Sequence, residues 1–143
     1  MWVLMPEPNP RANKSILLIE DDTPTRGVLT ALLQHAGYNV TCAWLRHEVL
    51  ALVRFHPFDL VVTDGMMPEI DGAEVITAVR RYHPLLPVIA MSGRGFYSSS
   101  ELSLKLAESV GALITLIKPF PLEELLMAVE KAIPGRPVGL PNP

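Results

Sequence analysis

A doubly wound α/β sheet of five parallel strands is the fold this sequence predicts, and two observations predict it. Apolar runs of strand length alternate strictly with segments of helical period along most of the chain. Three of those runs end in charged positions, at Glu20-Asp21-Asp22, at Asp64 and at Lys118. Residues just past the carboxyl ends of parallel strands converge on one crevice, so three sites far apart in sequence can meet at one point.

Taken in order, Ser15-Ile16-Leu17-Leu18-Ile19 is the continuous apolar run expected of a central strand covered on both faces. Asp22 or Thr23 can cap the helix that follows. Pro24 lies near its first position, Val28, Leu29, Leu32 and Leu33 share one face, and Gly37 supplies a left-handed stop. A strand over 38–43 then leads to a helix over 45–55, bounded by His56-Pro57. The next strand, 58–63, precedes the Asp64 loop and a helix that begins near Asp71-Gly72 with Val75, Ile76 and Val79 inward. A strand over 87–91 is followed by the turn formers Ser92 to Tyr97. Ser98 to Glu101 then has the spacing of a capping box ahead of the stripe Leu102, Leu106 and Val110. The last unit is a strand over 112–117 ending at Lys118, with Pro121 opening a helix that carries Leu125, Leu126 and Val129.

Five strand-helix units with right-handed crossovers point to the flavodoxin-like strand order 2-1-3-4-5 and five helices. In that order the switch point lies between the first and third strands, which end at Glu20-Asp21 and at Asp64. Residues 1–13 and the Pro-rich 134–143 are expected to be flexible tails, leaving 14–133 as the domain.

The chain of 143 residues is the size of one domain. With 12 basic residues against 15 acidic ones, a formal charge of -3 and a pI near 5.8, nothing favours electrostatic attachment to nucleic acid, and no such partner is expected. Cys42 is the single cysteine, so no internal disulfide can form, which fits a reducing cytoplasm. It sits in an apolar alternation where a small buried hydrophobe is the expected role. The opening Met1 to Met5 is too short for a signal-peptide core, and no apolar run reaches the length of a membrane span. The expectation is a cytoplasmic protein with no membrane partner.

Carboxylates forced together repel unless a cation neutralises them, and every side-chain donor at these strand ends is a hard oxygen, which favours Mg²⁺ over Zn²⁺. A carboxylate on a rigid strand end can attack a phosphoryl donor to give an acyl phosphate. Asp64, isolated from other acids, is the candidate nucleophile, while the adjacent Glu20 and Asp21 are placed to hold the ion. Lys118 would pair with the incoming phosphoryl group as a point charge, and Ser92 could donate its hydroxyl to it.

At these residues the sequence resembles the receiver domain of two-component response regulators. The carriers are Ile16 to Asp22, Asp59 to Gly72, Met91-Ser92-Gly93, and Gly111-Ala112 followed by Lys118-Pro119-Phe120. Each is weak alone; all four in order, covering about Lys14 to Ile133, are specific. The resemblance implies that Asp64 accepts a phosphoryl group from a phosphohistidine on a histidine kinase or histidine phosphotransfer protein. It implies Asp21 as a direct Mg²⁺ ligand, Glu20 as a ligand through water, and the Met66 backbone carbonyl completing the protein's share. Ser92 and Lys118 match the family's hydroxyl and lysine. The family's aromatic residue three positions before the lysine is Thr115 here. The switch is therefore expected to run through Ser92, the loop 93–100 and the helix after it.

With no effector segment after 133, the expectation is a stand-alone, non-enzymatic phosphoacceptor that signals to an unidentified downstream protein or onward in a phosphorelay. Its output face is the region 100–132, whose apolar residues permit a homodimer. At most it would catalyse its own phosphorylation and dephosphorylation.

Two other readings compete. One is a receiver-like interaction module that is never phosphorylated. The other is a haloacid-dehalogenase-type phosphatase, which needs a second Asp two residues past the nucleophile, where this chain has Met66. Taken alone, Glu20-Asp21-Asp22 would be a solvated turn with a helix cap, and Asp64 an Asx-turn residue before Gly65. Position after buried strands is what makes them site candidates. The four histidines show no ligand spacing, and no Gly-rich nucleotide motif is present.

Overall fold

Residues 14–93 and 114–133 are described in a computed structural model of the chain. They form one parallel sheet from β1 (Ser15–Ile19), β2 (Asn39–Ala43), β3 (Leu60–Asp64), β4 (Val88–Gly93) and β5 (Ile114–Lys118), in the predicted order β2-β1-β3-β4-β5. Four helices lie among the described residues: α1 (Thr23–His35), α2 (Arg46–Phe55), α3 (Gly72–Tyr82) and α4 (Leu122–Ala132). The expected tails, the loop from Arg94, the capping box with its helix, and the output face before 114 lie outside the described residues.

Burial follows strand position. The central strands β1, β3 and β4 are buried along nearly their whole length, whereas the edge strand β2 alternates between exposed and half-buried residues until Ala43. Side chains of β1 divide between the two faces. Ile16 and Leu18 pack with Leu29 and Leu33 of α1 and Leu125 and Val129 of α4. Leu17 and Ile19 pack with Val49 and Val53 of α2 and Val75, Ile76 and Val79 of α3. A strand that must be apolar on both faces reads as an unbroken hydrophobic run, which is how β1 appears in the sequence.

Local signals act as expected at the helix ends. Asp22 caps α1 by accepting the backbone N–H of Thr25 at 3.0 Å. Gly37 adopts φ 104°, its N–H bonds the Gln34 carbonyl at 3.0 Å, and the Tyr38 N–H bonds the Leu33 carbonyl at 3.1 Å, closing the helix through a left-handed residue.

Three expectations are corrected. Val28 is 53% exposed instead of facing the core, because it lies one step round the helix from the buried Leu29. Cys42 is only half-buried, since its strand is an edge, and its Sγ lies 3.1 Å from Thr30 Oγ1. The predicted loop residues Asp64, Ser92 and Gly93 belong to strands, paired as Asp64 with Met91, Ser92 with Ile117 and Gly93 with Lys118. Parallel pairing thus carries the sheet two residues further than apolar composition alone indicates at β4. At the other end of the sheet, Asp59 accepts the Ser15 backbone N–H at 2.7 Å and so anchors the start of β1. The Lys118–Pro119 peptide is cis. No helix among the described residues is long and apolar enough to cross a membrane.

Candidate phosphoacceptor and metal site

Strand register assembles the site. Ile19 pairs with Thr63, so Glu20 emerges beside Asp64; Asp64 pairs with Met91, one residue before Ser92. Gly93 pairs with Lys118, which brings the amine to the same end of the sheet. Carboxylate oxygens of Glu20, Asp21 and Asp64 lie within 4.8 Å of one another. Lys118 Nζ donates to Glu20 Oε1 at 2.5 Å and reaches Asp64 Oδ2 at 3.4 Å. Glu20 is fully buried and Asp64 nearly so, while Asp21 is half-buried. Asp22, by contrast, is a cap outside this cluster, and its hydrogen bonds from Thr25 hold its carboxyl below the usual range.

The loop beyond β3 is held close by glycines. Gly65 N–H bonds the Met91 carbonyl at 2.6 Å, and Gly72 N–H bonds the Gly65 carbonyl at 3.1 Å. A Cβ on Gly72 would lie 2.9 Å from Gly65 Cα, and one on Gly65 would lie 3.1 Å from the Met91 carbonyl oxygen. Gly72 needs glycine because backbone approaches backbone there, and at Gly65 an added Cβ would make a tight contact that the Met91 carbonyl must yield to. Inside this loop the Met66 N–H donates to Asp64 Oδ1 at 3.1 Å, which orients the carboxylate and leaves Oδ2 facing Lys118. The Met66 side chain is partly exposed, whereas Met67 packs on the α2–α3 core.

Burial pushes the Glu20 carboxyl above its usual range, opposed by the Lys118 hydrogen bond and reinforced by Asp64. For Lys118, burial alone would depress the amine, yet its contacts with Glu20 and Asp64 outweigh that and raise it. The Lys118 shift marks the negative surroundings that Glu20 and Asp64 make, and the Glu20 shift marks the cost of burying a carboxylate there. An all-oxygen donor set of this kind suits a small hard divalent cation. Ser92 adds a second sign of an expected ligand: its hydroxyl is buried and has no hydrogen-bond partner among the described residues. Thr115, paired with Ala90 in β5, is half-buried. Every site residue named from the sequence therefore lies at this end of the sheet or, for Thr115, in the strand leading to it.

Sequence reasoning missed Arg26, whose Nη1 bonds the carbonyl oxygens of Glu20 and Asp21 at 3.1 and 3.2 Å. Its place one turn into α1, directly after the acidic turn, was the available signal.

Residues 16–130 match the family described as response regulator receiver domain. The chain belongs to the response regulator receiver family. This receiver is 37% identical over 123 residues to the transcriptional regulatory protein ZraR of Salmonella typhimurium, covering 86% of this chain and 27% of that protein. It is 33% identical over 118 residues to the DNA-binding transcriptional regulator NtrC of the same organism, covering 82% and 24%. Among solved structures, the receiver domain of the sensor histidine kinase PA1611 from Pseudomonas aeruginosa PAO1, with a magnesium ion coordinated in its active-site cleft, matches with TM-score 0.75 and 26% identity over 85% of this chain and 98% of that one. The receiver spans about a quarter of the length of the curated relatives named here. The expectation of no nucleic-acid partner is not supported, since one of these relatives is named as DNA-binding.

Proposed function

We propose that this receiver is a magnesium-dependent phosphoacceptor whose Asp64 takes a phosphoryl group from a phosphohistidine on a histidine kinase or histidine phosphotransfer protein. The observation that carries this reading is the meeting of Glu20, Asp21, Asp64 and Lys118 at one strand end, with the buried, unpartnered hydroxyl of Ser92 on the neighbouring strand. Glu20, Asp21 and Asp64 would hold the ion together with the Met66 carbonyl. Magnesium, when bound, supplies positive charge opposite the phosphoryl oxygens.

The Met66 N–H fixes one Asp64 oxygen, so the other is free to attack phosphorus. The new O–P bond forms as the P–N bond of the donor breaks, and the electron pair stays on the donor imidazole, which keeps its proton balance with solvent. Lys118, now shared between Glu20 and Asp64, turns its donors to a phosphoryl oxygen, and the Ser92 hydroxyl donates to another. Satisfying Ser92 in this way draws the end of β4 toward the phosphoryl group. With Thr115 in β5, that movement is the conformational signal, and it alters the surface a downstream partner reads. The phosphoryl transfer is to the receiver's own side chain, so its catalysis is confined to itself.

Incubation with acetyl phosphate and intact-mass measurement tests the reading. One phosphoryl group is expected on the wild type, dependent on Mg²⁺ and absent from Asp64→Asn. Wild-type labelling of Asp64→Asn would overturn the assignment.

A further inference from the structure

The turn that presents Glu20 and Asp21 is braced by groups that take no part in phosphoryl chemistry. Arg26 sends Nη1 to the carbonyl oxygens of both residues, at 3.1 and 3.2 Å, and Nη2 to Thr23 Oγ1 at 3.4 Å. The guanidinium carbon lies 3.8 Å from the centroid of the Trp44 ring. Trp44 follows Ala43, and the Ala43 carbonyl accepts the Glu20 N–H at 3.3 Å. The acidic turn is thus tied to the end of β2 twice, once by its own backbone and once through Arg26 resting on Trp44.

Such bracing has a purpose at this position. Glu20 and Asp21 are adjacent acids that also face Asp64, so repulsion pushes the turn outward. Two carbonyls at a strand end could relieve that repulsion by rotating. A planar guanidinium holds both at once, and stacking on an indole face restricts the rotation of the guanidinium itself.

We propose that Arg26, seated on Trp44, is a positioning residue for divalent-cation binding by Glu20 and Asp21, an inference that rests on reading the site as magnesium-dependent. The sign of its effect separates positioning from simple electrostatics. A fixed positive charge beside an acid cluster repels a cation, so by charge alone its removal tightens metal binding. Positioning predicts the reverse, and loss of groups that orient metal ligands typically weakens affinity by about tenfold or more.

The test is calorimetric titration of the full chain with MgCl₂ in wild type, Arg26→Gln and Arg26→Lys, with thermal melting of each in chelator. Arg26→Gln is expected to weaken Mg²⁺ binding roughly tenfold. Arg26→Lys keeps the charge but loses the planar fork that also bonds Thr23 and rests on Trp44, so it is expected to bind weakly as well. Trp44→Phe, which preserves an aromatic face, should bind close to wild type. Equal or tighter binding by Arg26→Gln would overturn the proposal and leave the phosphoacceptor reading standing, even if the melting temperature fell. Wild-type affinity in Arg26→Lys would show that the guanidinium seated on Trp44 is not what positions the turn, and would equally overturn the proposal. Absence of Mg²⁺ binding in the wild type would remove both the proposal and the reading beneath it.

Discussion

Lys118 with Glu20 and Asp64, and Arg46 with Glu74, are both cation–carboxylate pairs, and they sit in opposite surroundings. At the strand ends Glu20 is inaccessible and the Lys118 side chain is 24% exposed. Across α2 and α3 the Arg46 and Glu74 side chains are 53% and 31% exposed, although their contact is as close. Distance alone would rank the two alike. Burial separates them: an exposed pair exchanges one good solvation for another, whereas a buried carboxylate depends on its partner for nearly all of its compensation.

The largest expected effect follows from removing that partner. Lys118→Met leaves Glu20 buried without its ammonium and should cost metal-free protein about 3 kcal/mol near neutral pH. The cost is read by urea unfolding in chelator. The pH dependence has a defined sign. Glu20's carboxyl is raised above its usual 4.5, so its protonated form favours the folded state. Its contribution is fully present below pH 4.5 and is lost as pH rises through the higher folded value. Lys118 lowers the Glu20 value, so in Lys118→Met that loss is larger and extends to higher pH, and the penalty should shrink on acidification. An equal penalty at pH 4 and pH 8 would show that Lys118 acts through packing.

A second, smaller effect tests whether the strand-end region is also distinct in backbone packing. Gly72→Ala forces a Cβ to within 2.9 Å of Gly65 Cα. It should destabilise by about 2 kcal/mol. Gly27, within α1, has nothing within 4 Å of an added Cβ. Gly27→Ala should therefore stabilise by roughly 0.5–1 kcal/mol. Thermal melting of both distinguishes a glycine required by close approach from one that only weakens a helix. Stabilisation by Gly72→Ala would show that the loop opens freely, and the site would then owe its shape to the side chains alone.

The same contrast explains what could be read from sequence. The strand order, the helices around Leu29, Val53, Val75 and Leu125, and the meeting of Glu20, Asp64 and Lys118 follow from hydrophobic period and from strand-end position, both of which are written one residue at a time. Val28 and Cys42 were misplaced because exposure on a helix flank or an edge strand depends on what lies beside the element. Beyond the place of Arg26 after the acidic turn, the joint role of Arg26 and Trp44 was not legible for a related reason: they join α1 to the end of β2, and only the register of Ile19 with Ala43 brings those two places together. Gly72 looked like helix punctuation after Asp71, and its close approach to Gly65 is a property of the folded loop.

The smallest effect belongs to Arg46 and Glu74. Single replacement of either also disturbs local structure, since Glu74 lies in the first turn of α3, where an acid favours the helix dipole. The Arg46 N–H contact to Glu69 is made by backbone and survives substitution of the side chain. A double-mutant cycle on Arg46→Ala and Glu74→Ala removes these separate contributions and leaves the pair itself. Its coupling should be at most about 1 kcal/mol. It should also fall toward zero in 1 M salt, where screening acts over about 3 Å. A coupling near that of a buried pair, or one indifferent to salt, would mean that the α2–α3 surface holds its charges as firmly as the strand ends hold theirs, and burial would no longer account for the difference between the two regions.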